Sequence, residues 1–279
     1  MNPTIDLNPQ RKQMADESMV RNLDAQARAI WPQEKQLIRR YELPQSPRIL
    51  DAGCGTGEGA RRFAEYYPGA KVLGVDVIDA HLDLARERST AFAPRLSFEH
   101  RSIFGLELPE GLFDLVVCRH VLQSIPQPEK VLAELARVTR PGGYLHVIPE
   151  DYGMLHFERD HLDLDRFWNV APREFGASTR TDFQIGRNVW GHLSALGLEA
   201  ITVDYVIVDP VRVSRDIVAT IIEAWRDGFS AAIGQSTSYS ESQARDHFDA
   251  MIAQIRDPRR YFVWMVPVVS ARVPKVKRN

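Results

Sequence analysis

Apolar strands alternating with helices, a glycine-rich turn after the first strand and an acid closing the second predict a doubly wound α/β fold. Seven strands are expected in a mainly parallel sheet, with the last strand antiparallel and helical insertions forming a cap. The 279 residues suit one large domain or one domain with a cap.

Residues 1–44 precede the sheet and read as an N-terminal helical cap. Within them, residues 17–41 carry Met19, Leu23, Ile30, Leu37 and Ile38 at helical spacing, interrupted at Trp31-Pro32. A helix pair there either roofs a pocket or packs on the sheet edge. The sheet region, 45–279, starts with the buried strand Ile49-Leu50-Asp51-Ala52. After the glycines, residues 60–67 read as a helix stopped by Pro68-Gly69, and residues 71–76 as the second strand. A helix over 81–89, a third strand over 95–100 and a fully buried fourth over 113–118 follow. Residues 129–138 form the next helix, stopped by Arg140-Pro141-Gly142-Gly143, before a fifth strand over 144–148. A helix over 189–196 and strands over 198–208 and 261–273 complete the pattern. The stretches of about 151–184 and 209–259 exceed what the sheet needs, and long connections in compact domains are usually lids or disorder. Their aromatic and aliphatic content predicts lids.

Composition excludes several classes. Charged residues at 26% and hydrophobic ones at 44% are those of an ordinary soluble globular chain. A net charge of −2 argues against a polyanion-binding surface, so no nucleic-acid partner is expected. The one basic cluster, Lys275-Val276-Lys277-Arg278, reads as a solvated tail. No apolar run nears the roughly 18 residues of a membrane span, and residues 1–6 lack a signal-peptide layout. Cys54 and Cys118 read as reduced thiols, which points to the cytoplasm.

The glycine turn identifies the kind of ligand. Strand, glycine turn, helix, strand and terminal acid form a Rossmann-like unit that binds an adenosine-containing cofactor, with Asp76, about 20 residues on, receiving ribose hydroxyls. A dinucleotide loop requires G-x-G-x-x-G, so that phosphates meet a helix N-terminus. Counting from Gly53 puts Glu58 at the third glycine position; counting from Gly55 puts Ala60 there. The actual pattern, Asp51-x-Gly53-x-Gly55-x-Gly57, resembles motif I of the class I S-adenosylmethionine (SAM)-dependent methyltransferases. Phe113-Asp114-Leu115-Val116, residues 135–143 and the closing pair of apolar strands extend the resemblance across the sheet.

That resemblance implies SAM as cofactor and a site residue by residue. Gly53, Cys54, Gly55 and Gly57 would pass close to its methionine part, with Asp51 holding the amino group or fixing the loop. Val77 would pack on the adenine, Ser102 would stand in the place of an acid facing the adenine amine with Ile103 beside it, and Arg119 and His120 would flank the methionine arm. Methyl transfer is an in-line displacement, so alignment is most of the protein's task. A base is needed where the acceptor loses a proton; His120 is the candidate, with Glu150 or Asp151 as carboxylate and Tyr152 as donor. Each of these residues also has a structural alternative in capping or loop satisfaction. His156, Asp160 and His161 match no metal-ligand pattern, so no metal is expected. Met154, Phe157, Phe167, Trp168 and Trp190 would suit an apolar acceptor.

The resulting expectation is methyl transfer from SAM to an oxygen or nitrogen of a small molecule. The competing readings are a protein or peptide methyltransferase, a non-catalytic SAM-binding module and an NAD(P)-dependent oxidoreductase. Arg119 to Pro126 lacks the Asn- or Asp-Pro-Pro-aromatic run of base-amine methyltransferases. The apolar last strand and inserted helix serve either a homodimer or the cap.

Overall fold

The computed structural model describes residues 5–275, so most of the expected basic tail and of the segment read for a signal peptide lies outside the described residues. Parallel strands β1 (Arg48–Ala52), β2 (Lys71–Asp76), β3 (Leu96–His100), β4 (Phe113–Arg119) and β5 (Thr139–Ile148) run in the order β3-β2-β1-β4-β5. Side chains alternate across the sheet, which divides the core in two. Ile49, Leu115 and Val117 join the cluster beneath α3 (Glu58–Tyr66) and α4 (Asp79–Arg88). Leu50, Val116 and Cys118 join the opposite cluster, beneath α5 (Pro128–Val138) and α7 (Val189–Ala195).

The sheet closes with β7 (Glu199–Val208) and β8 (Phe262–Arg272), with β8 antiparallel to both β5 and β7. An eighth strand, β6 (Leu155–Phe157), also pairs with β8. Trp264 meets Leu155 on one side and Val208 on the other, so β6 lies on the β5 side. It resumes the line of β5 after a detour. From Val147 to Leu155 the chain advances eight residues while β8 retreats five, from Val269 to Trp264.

Two expected boundaries are corrected. The stop at residues 140–143 is absorbed into β5, which begins at Thr139 opposite Phe113 and shifts register before Leu115 and Tyr144 pair. The break at Pro32 does not occur, because α2 (Glu17–Leu37) runs through it. Tertiary contacts override the missing N–H: Trp31 meets Phe63 and Tyr66 edge-on, and Gln33 bonds the backbone of Ile207 at both ends of its amide. Instead of a helix pair, the N-terminal region holds this helix, a four-residue turn α1 (Arg11–Met14) and a short 3-10 segment.

The insertions fold as α6 (Leu164–Thr179) and the antiparallel pair α8 (Arg215–Ser236) and α9 (Glu241–Arg256). With α2, β6 and β8 they bury a third core rich in tryptophan and phenylalanine. Among the described residues no helix is long and apolar enough to cross a membrane.

Candidate functional site

The glycine turn hangs from the end of β2, because Gly53 and Cys54 both donate to the Val75 carbonyl, at 2.8 and 2.9 Å. Gly53 has φ +74°, and a Cβ there would lie 2.4 Å from Val121 Cγ2. Both demands exclude a side chain. Gly57, at φ +79°, turns the chain into α3 and packs against Ala85 and Phe98.

Above this turn lies a cavity of about 390 Å³ at the carboxyl ends of β1 to β4. Of the residues expected to hold a cofactor, Gly53, Gly55, Asp76, Val77, Ser102, Ile103, Arg119 and His120 line it. Asp51, Cys54 and Gly57 do not line it. Cys54 is a buried free thiol packed toward Gly74, and burial pushes its pKa well up. Asp51 lies beneath the floor, where its carboxylate accepts from the Ala60 N–H at the start of α3.

Asp76 is already engaged. Its Oδ1 accepts from Val77 and Ile78 N–H at 2.8 and 3.0 Å, and its Oδ2 from Gly55 N–H at 2.8 Å. A carboxylate offers about four acceptor sites, so it has capacity for about one hydroxyl unless a backbone bond is released. The loop and the acid are thus one unit. Ser102 is exposed on the cavity wall, and its Oγ accepts from Phe104 N–H at 3.3 Å.

Under the floor runs a buried ionic network. Arg119 Nη2 lies 3.0 Å from Glu34 Oε2, and His146 Nε2 lies 3.3 Å from the other oxygen of that carboxylate. Tyr41 Oη meets His146 Nδ1 at 2.7 Å. Burial raises the pKa of Asp51 to about 6, against the pull of Arg119, with Glu34 adding to the rise. Burial also works against the Glu34 anion, but Arg119 and His146 prevail and hold its pKa below the usual value.

The candidate catalytic residues meet at the end of β4 and the detour after β5. His120 sits at φ +57°, a backbone region that non-glycine residues seldom occupy, with its N–H on the Ile148 carbonyl at 2.8 Å. Its Nδ1 is 2.6 Å from Glu150 Oε1, and its buried Nε2 has no partner among the described residues. Glu150 is wholly buried. Asp151 is committed to a bidentate pair with Arg187, both contacts at 2.7 Å. Tyr152 stacks on Trp168 at 5.3 Å, and burial beside Glu150 pushes its phenol well above the usual range.

Some expectations move. Glu58 does not line the cavity; its carboxylate is held by Arg61 and Arg62, so its side chain is not what meets a ligand. Trp190 is about half exposed on α7, away from any acceptor, whereas Phe167 and Trp168 line an aromatic cavity between the insertions. His156 and His161 pair with Asp165 and Asp160 at the surface.

The N-terminal segment, read as either roofing a pocket or packing on the sheet edge, contributes to the cavity lining. Leu7, Arg11 and Met14 line the cavity, and Leu23 of α2 sits so close to Gly55 that a Cβ there would be 2.9 Å from it. The helix pattern of α2 was legible, but the face turned to the glycines was not. His81 also lines the cavity; it is buried next to Asp76, and burial lowers its pKa.

Comparison with known proteins agrees with this geometry. Residues 49–143 match a family model described as a methyltransferase domain. A trans-aconitate 2-methyltransferase of Deinococcus radiodurans is 36% identical over 141 residues, covering 50% of this chain and 51% of its own. Across the curated relatives, matches span between a quarter and about half of the relative's length. A Haemonchus contortus phosphoethanolamine N-methyltransferase 2 solved with S-adenosyl-L-methionine superposes with TM-score 0.59 at 18% identity, covering 95% of this chain and 60% of its own. The [4+2]-cyclase SpnF superposes with TM-score 0.59 at 19% identity, covering 97% and 98%. Such likenesses show the fold.

Proposed function

We propose that this chain, whose residues 49–143 match a methyltransferase-domain model, transfers the methyl group of SAM to an oxygen or nitrogen of a small-molecule acceptor. The observation that carries the proposal is the His120–Glu150 pair on the wall of the cavity over the glycine turn. Asp76 would receive a ribose hydroxyl, with Val77 and Ile103 as apolar walls for the base. Bound SAM supplies an electrophilic methyl group on a sulfonium.

The chain's own residues provide the rest. Glu150 fixes the His120 ring with Nδ1 as donor, which leaves Nε2 as the basic nitrogen. That nitrogen removes the acceptor's proton. Glu34 holds Arg119 below it, and Leu7, Arg11 and Met14 line the cavity from the N-terminal segment. The N-terminal segment lines this cavity and both insertions line the aromatic cavity, an arrangement that favours a small acceptor over a folded protein. Tyr152 supplies an aromatic face.

Architecture alone does not fix the reaction, since a neighbour spanning the same length is named a cyclase. The test therefore measures binding and transfer separately. Calorimetric titration with SAM, S-adenosylhomocysteine and NADH should show the first two bound and the third not. Incubation with SAM and an acceptor panel should release S-adenosylhomocysteine. NADH binding alone overturns the cofactor assignment. SAM binding without transfer to any acceptor would leave a SAM-binding module.

A further inference from the structure

Two smaller cavities continue inward from the cofactor cavity. The middle one, about 30 Å³, shares Met14, Leu23, His120 and Ser124 with it. The innermost, about 50 Å³, shares Tyr152, Phe183, Trp225 and Phe229 with the middle one. His120 thus stands at a doorway, with the cofactor cavity on one side and an aromatic chamber beyond the other.

The lining chemistry is selective. The innermost chamber is walled by rings: Tyr152 stacks on Trp168 and meets Trp225 edge-on at 5.3 Å. The polar side chains of the middle cavity are, besides His120, Ser124 and Tyr152, all amides: Gln10, Asn22, Gln26 and Gln123. Among the described residues no lysine, arginine, aspartate or glutamate lines either space. Glu150 lies behind His120 and is already bound to it.

Three of the four amides carry unpartnered atoms. Among the described residues neither amide atom of the fully buried Gln10 has a partner, and Asn22 Oδ1, Gln123 Oε1 and His120 Nε2 are also buried without partners. Buried polar groups in native proteins are nearly always hydrogen-bonded, and each exception costs about 1–3 kcal/mol. Several exceptions around one small cavity point to a ligand that satisfies them.

We propose that these two cavities are the acceptor site, and that they select a small uncharged molecule with an apolar, ring-like body and a hydroxyl group. This rests on the methyl-transfer reading above and narrows it to O-methylation. The body enters the aromatic chamber, while the amides bond the oxygen substituents. The acceptor O–H breaks with its proton going to His120 Nε2, the O–CH₃ bond forms, and the electron pair of the S–CH₃ bond stays on sulfur. A carboxylate acceptor would find no cation in these walls, and burying an unpaired charge is prohibitive. Aromatic faces can hold a cation, so an amine is the strongest competitor. The volumes hold roughly half a dozen water-sized groups, the scale of one small ring.

The test uses the full chain with S-adenosylhomocysteine present and reads tryptophan fluorescence, since Trp168 and Trp225 wall the chamber. The probes are 4-methylphenol, benzylamine and benzoate at pH 7. The phenol should quench with an affinity at least about ten-fold tighter than either charged probe. Asn22→Leu should remove an amide N–H donor to the phenol oxygen, whose own O–H points to His120 Nε2, and so weaken phenol binding about ten-fold, one hydrogen bond's worth, without lowering the melting temperature, because its unpartnered oxygen has no bond to lose. No quenching by the phenol, or equal or tighter binding of benzoate or benzylamine, overturns the proposal. So does an Asn22→Leu variant that melts early and binds the phenol unchanged. Phenol binding in a chain that fails to bind SAM would count against methyl transfer while leaving this site standing; SAM binding with phenol silent would do the reverse.

Discussion

Glu150 Oε1 lies 2.6 Å from His120 Nδ1, with the carboxylate wholly buried and the imidazole carried on a backbone turn at φ +57°. The pair joins two strand ends, since His120 follows β4 and Glu150 follows β5. Glu150 touches no cavity and acts only through the ring it holds.

Replacing Glu150 by Gln should therefore lower turnover by about 10²-fold, the small end of general-base contributions. SAM affinity should not change. Steady-state rates and calorimetry on the same preparation separate the two, and an equal loss in both would mean that Glu150 shapes the cofactor cavity.

Asp51 should make stability fall with rising pH over part of the acid range. Its folded pKa of about 6 stands above the ordinary 3.8, so the folded chain holds this proton more tightly than the unfolded chain. That contribution is full below about pH 4 and is lost as pH rises through about 6. Asp51→Asn should accordingly gain about 3 kcal/mol on the native protein between pH 4 and pH 7. Urea melts at the two pH values would show it, and parallel shifts would refute it.

Glu34 should behave with the opposite sign. Its lowered pKa contributes stability above the ordinary value of 4.5 that is lost as pH falls through the folded one. Glu34→Gln strands the buried Arg119 guanidinium and should cost about 3–5 kcal/mol at pH 7. A variant that melts like the native chain would show that the network is not holding α2 to the sheet.

Two glycines provide a matched comparison. Gly53→Ala meets Val121 at 2.4 Å with φ +74°, whereas Gly105→Ala meets nothing within 4 Å. The first should destabilise by about 1–3 kcal/mol and abolish SAM binding measurable by calorimetry, and the second should do neither. Similar behaviour of the two would remove the close-approach argument for the turn.

Asp76→Asn tests the acid that closes β2. Hydrogen bonds to a charged group are worth about 1.5–3 kcal/mol, so SAM affinity should drop about ten-fold or more. The amide keeps only one accepting oxygen, so either Gly55 N–H or the Val77 and Ile78 N–H groups lose their acceptor, and a fall in melting temperature should accompany the lost affinity. Undiminished affinity would move the ribose elsewhere.

The sheet was legible because its strands are short apolar runs separated by glycine, proline and helix signals; Ile49 to Ala52 and Phe113 to Cys118 could be little else. Several residues that line the cavity over the glycine turn were legible because they sit at fixed offsets from strand ends, as Asp76 and His120 do. What could not be read was side-chain direction at a distance. The i,i+4 spacing of Glu58 and Arg62 on α3 is a local contact, whereas nothing local places Asp51 below the floor instead of on it or lays Leu23 against Gly55. Pro32 misled for the same reason, since the contacts of Trp31 and Gln33 that carry α2 past it come from residues remote in sequence.

The detour between β5 and β6 is pinned at several points: Gly186 N–H on the Glu150 carbonyl at 2.9 Å, Tyr152 N–H on the Phe183 carbonyl at 3.0 Å, and Arg187 on Asp151. Because β6 picks up its partner again on β8, the chain between the strands can lengthen, shorten or change composition without unzipping the sheet. Glu150 and Tyr152 both ride on that stretch. The carboxylate that holds the proposed base and the aromatic wall are thus separable from the scaffold, so substitution in a handful of residues would shift acceptor preference while the glycine-turn half of the molecule stayed as it is.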